Sequence, residues 1–139
     1  MARIVLTDCY VAVTIGVTTT EISDHVSSIT LQTTYDLVET TSFSDLAKTR
    51  VAGLADNSVA LELHQDFASG NLETVIYPAL GTSATFAVRP TSGVVGVTNP
   101  SYGFSAVLSE WTPLNGAIGE LSTASVTWPI SGAITKTTA

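Results

Sequence analysis

One cysteine, two histidines and five basic residues are all that this 139-residue chain offers toward disulfides, metal sites and polyanion-binding surfaces. Cys9 alone cannot form an internal disulfide, which fits maturation in a reducing compartment. The bases Arg3, Lys48, Arg50, Arg89 and Lys136 are scattered. Sequence-specific nucleic-acid binding needs them clustered to displace counterions, so the composition argues against it. Contact with nucleic acid that does not adhere remains allowed. No run approaches the roughly 18 apolar residues of a membrane helix. An acid at Asp8, after Met1-Ala2-Arg3, falls too early for a signal peptide. The expectation is synthesis in the cytosol, as one domain over 1–139.

Charge is also scarce. Charged residues make up 12% of the chain against 45% hydrophobic, and the net charge is −7. An average soluble domain carries about 25% charged residues. Some of this surface is therefore expected to be covered by partners, although serine and threonine also keep a surface wet.

What is abundant is β-branching: 22 threonines, 15 valines and 8 isoleucines. Such side chains are stiff at the first torsion and suit a pleated surface. Apolar residues recur mostly at every second position, the mark of half-buried strands. Strands are expected at Ile4–Ile15, His25–Asp36, Asn57–Asp66, Ala84–Arg89, Ser101–Thr112 and Leu121–Ile130. In His25–Asp36, Ile29, Leu31, Thr33 and Tyr35 share one face, and Ser28, Thr30, Gln32 and Thr34 the other. In Asn57–Asp66, Val59, Leu61 and Leu63 oppose Ala60, Glu62, His64 and Asp66. Pro113-Leu114-Asn115-Gly116 carries turn chemistry that would join the last two strands as a hairpin. Gly16–Asp24 reads as a turn or loop.

Two segments depart from the alternation. Leu72, Val75, Ile76 and Leu80 have the spacing of a helix's buried stripe, with Asn71 or Ser69 to cap it and Gly81 at its exit. A short helix over about 71–80 is expected, kinked or shortened by Pro78. Val38–Leu54 has two open readings. Phe43 and Leu46 could anchor another surface, or the segment could be an irregular hairpin packed on its own sheet. Connections longer than about 12–15 residues are more often functional than idle. The fold class expected is all-β, an antiparallel sandwich or barrel-like domain with one short flanking helix.

No constellation demands catalysis. Gly81-Thr82-Ser83-Ala84 is not a nucleophile elbow. Asp24, His25 and Ser27 are triad residue types, but near neighbours on a strand would point to opposite faces. His64 with Glu62 and Asp66 could make an oxygen-rich metal site, though a solvated polar face is the ordinary reading. Glu110 and Glu120 could pair for glycoside chemistry, and Trp111 with Trp128 could stack on a sugar. Surface acids at a turn and core tryptophans are the commoner meanings. No cofactor is called for.

The segments Ile22–Leu31, Val38–Thr41, Lys48–Leu54 running into Asn57–Val59, and Gln65–Phe67 together resemble a known family. So do Tyr77-Pro78-Ala79-Leu80-Gly81-Thr82, Val88–Ser92, Thr98–Tyr102, Glu110–Gly116 and Ser125–Pro129. The family is the major tail proteins, or tail-tube proteins, of long-tailed, non-contractile bacteriophages, above all those of actinobacteria. The resemblance implies a sandwich that forms hexameric rings. These stack into a hollow tube, the inner sheets of neighbours joining as a barrel through which DNA passes. It implies a virion protein, assembled in the host cytoplasm, that meets copies of itself and other tail proteins (tape measure, terminator, baseplate or tip). It also implies that Val38–Leu54 bridges to a neighbour, through Glu39, Phe43, Asp45, Leu46, Lys48 and Arg50. A DNA conduit should not attract phosphate. Thr30, Gln32, Thr34, Asp36, Glu62, His64 and Asp66 are the expected lumen wall. Another virion sandwich (a terminator ring or a capsid decoration protein) and a carbohydrate-binding module using the tryptophans stay open as alternatives.

Overall fold

The computed structural model describes residues 3–138; residues 1, 2 and 139 lie outside it, Met1-Ala2 of the amino-terminal reading among them. Eight strands form two antiparallel sheets. They are β1 (Tyr10–Ile15), β2 (Thr18–Glu21), β3 (Val26–Glu39), β4 (Arg50–His64), β5 (Ser83–Arg89), β6 (Ser101–Val107), β7 (Thr123–Pro129) and β8 (Thr135–Thr137). One sheet runs β2-β1-β5-β6-β8 and the other β3-β4-β7. A helix, α1 (Leu72–Ile76), continues into a 3-10 turn at Tyr77–Ala79. No described helix is long and apolar enough to cross a membrane.

The core lies between the sheets and follows from the period-two pattern. Val11 and Val13 of β1, Phe86 of β5 and Phe104 of β6 meet Val59, Leu61 and Leu63 of β4 and Val126 and Trp128 of β7. Trp128 is fully buried. Its ring lies 5.7 Å from Phe86 and 6.4 Å from Trp111, and its indole N–H donates to the Glu110 carbonyl at 2.8 Å.

The helix closes one end of this core as its spacing requires. Leu72 and Ile76 are buried, while Val75 and Leu80 pack against the cluster half-buried. Pro78 falls in the 3-10 turn, where the helix has already given way. Gly81, at φ +86, makes the exit that a side chain would strain. Asn71 occupies the N-cap position without a capping side-chain bond. Its amide instead donates to Asp66 Oδ2 at 2.9 Å.

Four expectations change. The first strand begins at Tyr10, because no described strand runs beside Ile4, Val5 and Leu6, which stay exposed. Gly16–Asp24 contains strand β2 and a 3-10 turn at Ser23–His25. Thr18, Thr19 and Thr20 supply β propensity without apolar alternation, and Gly16 at φ +64 sets the tight turn back from β1. The strands around Pro113–Gly116 do not pair as a hairpin: β6 joins β5 and β8, and β7 joins β4. Both carry one apolar face, and those faces meet across the core, so residues 108–122 cross between the sheets.

Asp66 is the fourth. β4 ends at His64, so Asp66 leaves the face of Glu62 and enters the connection to α1. Its Oδ1 accepts from the Ala68 amide at 2.9 Å, and its Oδ2 from Asn71 and His25 at 2.9 Å each.

Two stability measurements check this packing. Trp128→Ala is expected to lower unfolding free energy by about 3–5 kcal/mol in urea titrations, the range for emptying a large aromatic site. Asp66→Ala, which strands three donors, should cost about 2 kcal/mol, whereas the exposed Glu62→Ala should sit within about 0.5 kcal/mol of wild type.

Candidate functional site

The β3–β4 hairpin outruns the sheet that covers it. Ile29 and Leu31 on β3 and Val59, Leu61 and Leu63 on β4 face the five-stranded sheet. Beyond Thr33 on β3 and before Asn57 on β4, every residue is exposed. The hairpin thus projects as an arm, roughly 24 Å long at about 3.4 Å per residue. Tyr35, Leu37, Val38, Val51 and Leu54 are exposed along it. A bulge interrupts the ladder where the pairing steps from Tyr35–Ala55 to Leu37–Ala52. Gly53 sits there against Asp36, so a Cβ would come within 3.4 Å of the Asp36 carbonyl oxygen.

Val38–Leu54 is therefore a hairpin, but it packs on no sheet of its own chain. The tip is shaped by local bonds. Thr40 N–H donates to the Thr49 carbonyl at 2.8 Å, and Thr49 N–H to Thr41 Oγ1 at 2.9 Å. Asp45 Oδ2 accepts from the Ser42 amide at 2.8 Å, and Asp45 N–H returns a bond to the Ser42 carbonyl at 3.0 Å. This turn holds Phe43 and Leu46 fully out in solvent. Glu39 pairs across the ladder with Arg50 and lies 3.9 Å from Lys48, an exposed contact of little energetic weight.

The outward face of the three-stranded sheet is small and polar. Register places Ser28, Thr30, Gln32 and Thr34 beside Glu62, Ala60, Ser58 and Asp56, with Ser125 and Thr127 of β7 alongside. Glu62 and Asp56 put negative charge on it, and none of these residues is a base. His64 continues the row half-buried, its Nδ1 without a hydrogen-bond partner among the described residues. Asp36 extends the β3 row to the bulge, and Asp66 is absent from the face for the reason given above.

The two edges of this sheet differ. In β7, Ile130 N–H donates to Asn57 and Gln65 N–H to Ser122, so even-numbered residues bond β4 and odd-numbered ones face out. Thr123 N–H already donates to the Asn115 carbonyl at 3.0 Å, and Thr127 N–H to Glu110 Oε1 at 2.6 Å. Pro129 has no N–H. That leaves Ser125, among the described residues, as the one outward donor on the β7 edge. On β3 the corresponding groups of Ile29, Leu31, Thr33 and Tyr35 face no described strand.

Between the sheets, at the base of the arm, opens an apolar groove of about 370 Å³. Cys9, Ile29, Leu31, Val88 and Tyr102 line it, and Arg89 borders it at the end of β5 with its side chain on the sheet's other face, against Tyr10. The guanidinium carbon lies 4.0 Å from the Tyr10 ring centroid, and Nε is buried without a hydrogen-bond partner among the described residues. Burial, with the Asp8 charge adding, raises the Cys9 thiol above its ordinary value. Sequence reasoning passed over this groove, because its walls come from strands distant in the chain.

Catalytic arrangements fare differently from their expectation. His25 sits in a 3-10 turn, not a strand, so its Nδ1 does reach Asp24 Oδ1 at 2.8 Å, and its Nε2 reaches Asp66. Ser27 turns away and donates to the Glu62 carbonyl at 3.2 Å. Glu110 is engaged with the β7 edge, and Trp111 donates to Glu73 at 2.8 Å. Trp128 is buried, and Trp111 packs against the core half-buried. Among the described residues, no three of His, Cys, Asp and Glu gather where a metal could be held.

No family model and no curated protein matches the chain. Solved structures do. A chain in the virion of a native gene transfer agent (GTA) particle superposes with a TM-score of 0.67 at 12% identity, covering 91% of this chain and 95% of its own. A chain in the six-fold symmetrised baseplate of the anti-feeding prophage (AFP) superposes with a TM-score of 0.60 at 12% identity, covering 99% and 98%. At such identity the likeness is one of fold: the mainly antiparallel two-sheet fold of this chain is also that of the matched chains in these two particles.

Proposed function

We propose that this protein is a structural virion component, a subunit of stacked hexameric rings forming the tail tube of a long-tailed, non-contractile phage. In this reading it acts without catalysis or cofactor, and its partners are further copies of itself and the tail proteins at either end of the tube. The observation that carries the reading is the arm. A hairpin bare on both faces, with apolar side chains along it and at its tip, has no function within one copy. Apolar area uncovered in the free chain is what an obligate neighbour buries. The fold shared with a GTA virion subunit and with a subunit of a six-fold baseplate supports the choice of particle and the ring symmetry.

The sheet edges support an asymmetric contact. One edge is open and the other nearly closed, so each copy offers two different surfaces. Head-to-tail contacts of that kind close into rings or extend into filaments. The polar outward face of β3-β4-β7, carrying Glu62 and Asp56, suits a wall past which phosphate slides without adhering.

Two experiments test this. Replacing Thr40–Lys48 by an Asn-Gly turn should leave circular dichroism and unfolding cooperativity intact but abolish tubes in negative-stain microscopy of concentrated protein. Normal tubes from that variant would remove the arm from assembly. A terminator-like protein would instead give single rings from the wild type, and a decoration protein would give neither. In the second, Glu62→Lys with Asp56→Lys should still form tubes, and these should now co-sediment with duplex DNA at low salt and release it by about 0.3 M. Tubes of the double variant that ignore DNA would take this face off the lumen.

A further inference from the structure

We propose that Glu110 is a plug on the β7 edge: its carboxylate occupies the Thr127 amide in the free chain and gives way to the β3 edge of a second copy. The inference rests on the tube reading above and adds to it a contact that holds free copies apart.

The β7 edge has few donors to offer an added strand. Its outward amides are those of Thr123, Ser125 and Thr127, since Pro129 has none. The Asn115 carbonyl holds the first at 3.0 Å. Only Ser125 and Thr127 can then serve a neighbour, and Glu110 Oε1 takes Thr127 at 2.6 Å. A single free donor does not make a ladder, because pairing must offset the entropy of ordering two surfaces. While the carboxylate stays in place, the edge is closed.

The same residue is arranged so that the plug can leave. Glu110 makes two separate bonds to β7. Its backbone carbonyl accepts from the buried Trp128 indole at 2.8 Å, which fixes the main chain against the core. Its carboxylate is exposed at the end of a flexible side chain, so it can swing away without moving the backbone. A carboxylate accepts more strongly than a carbonyl, so the exchange is unfavourable at that one bond. It proceeds only when the departing carboxylate regains water and the rest of the seam forms with it. Partial contacts are refused and a full strand is admitted.

The strand that fits is β3, whose outward row meets no described strand. β3 and β7 both run antiparallel to β4, so they run parallel to each other, and copies related by rotation about one axis keep that relation. In a parallel ladder a residue bonding outward lies opposite one that does not. Ser125 and Thr127 therefore come beside the even-numbered Ser28, Thr30, Gln32 and Thr34, polar against polar, and the outward face continues unbroken. A second β7 would instead bring two plugs together, carboxylate against carboxylate.

The test removes the side chain and keeps the carbonyl. Glu110→Ala should lower the concentration at which polymer appears at least about fivefold, and Glu110→Gln, which keeps a neutral acceptor, should fall between it and wild type. Thermal unfolding checks that the fold is kept; should Glu110→Ala unfold, Glu110→Gln carries the same comparison. Hydrogen exchange supplies a second readout. In monomers the Thr127 amide should exchange at least about tenfold faster in Glu110→Ala than in wild type. In polymer of either protein it should be protected, together with Leu31 and Thr33 on β3. A variant that polymerises no more readily than wild type overturns the plug, as does a Thr127 amide left open in its polymer. Protection at Thr127 without protection at Leu31 and Thr33 overturns β3 as the partner. Should wild type form neither tubes nor rings, the tube reading fails. Sedimentation velocity then decides the plug, which stands if Glu110→Ala self-associates more strongly than wild type and falls if it does not.

Discussion

A mismatch of lengths governs this molecule. β4 is 15 residues long, whereas β5, at the centre of the facing sheet, is 7. Only the inner half of the β3–β4 ladder can therefore share a core. Covering an apolar side chain of leucine or valine size is worth roughly 1.5–3 kcal/mol, and the outer half forgoes that gain at Tyr35, Leu37 and Leu54. An isolated two-stranded hairpin is marginal in water. The arm persists because its ladder is continuous with a sheet whose register the buried Val59, Leu61 and Leu63 fix, since a one-residue slip would turn them outward. Core packing thus holds a second, uncovered surface in a defined shape.

The same economy runs along the sheet edges. A free edge invites uncontrolled pairing, and the β3-β4-β7 sheet nearly closes one of its two. Residues 108–122 cross from one sheet to the other and on the way satisfy Thr123 and Thr127 of β7. Trp111, held by Glu73 on α1 and stacked on Trp128, pins that crossing against the core. The helix, the crossing and the β7 edge therefore form one mechanical unit, while β3 stays open. The exposed Glu110 carboxylate also serves as the acceptor for the Thr127 amide.

The sequence displayed whatever depended on local period. Alternation located the core halves of β3, β4, β5 and β7, and the spacing of Leu72, Ile76 and Leu80 located the helix despite Pro78. It could not display pairing. Pro113-Leu114-Asn115-Gly116 has hairpin chemistry, yet β6 and β7 separate because their apolar faces are worth more against each other across the core than side by side. β2 was hidden because consecutive threonines alternate nothing. Asp66 followed Glu62 and His64 in phase, and only the end of β4 removes it from their face. For the arm, Phe43 and Leu46 in a polar stretch were legible as apolar residues without a home. The groove was not, because its lining brings together Cys9, Ile29, Val88 and Tyr102 from four distant segments.

Under the proposed tube reading, few charges and an incomplete surface would threaten solubility, so what keeps copies apart before assembly matters as much as what joins them. The net charge of −7 gives every copy the same sign, and that repulsion acts over roughly 8–10 Å at moderate salt. In the proposed ring each copy would both give a contact and receive one, and closure would make the last contact intramolecular, at an effective concentration far above that of free protein. Weak, asymmetric, mutually dependent contacts give a threshold: little association below it, and an ordered polymer above it.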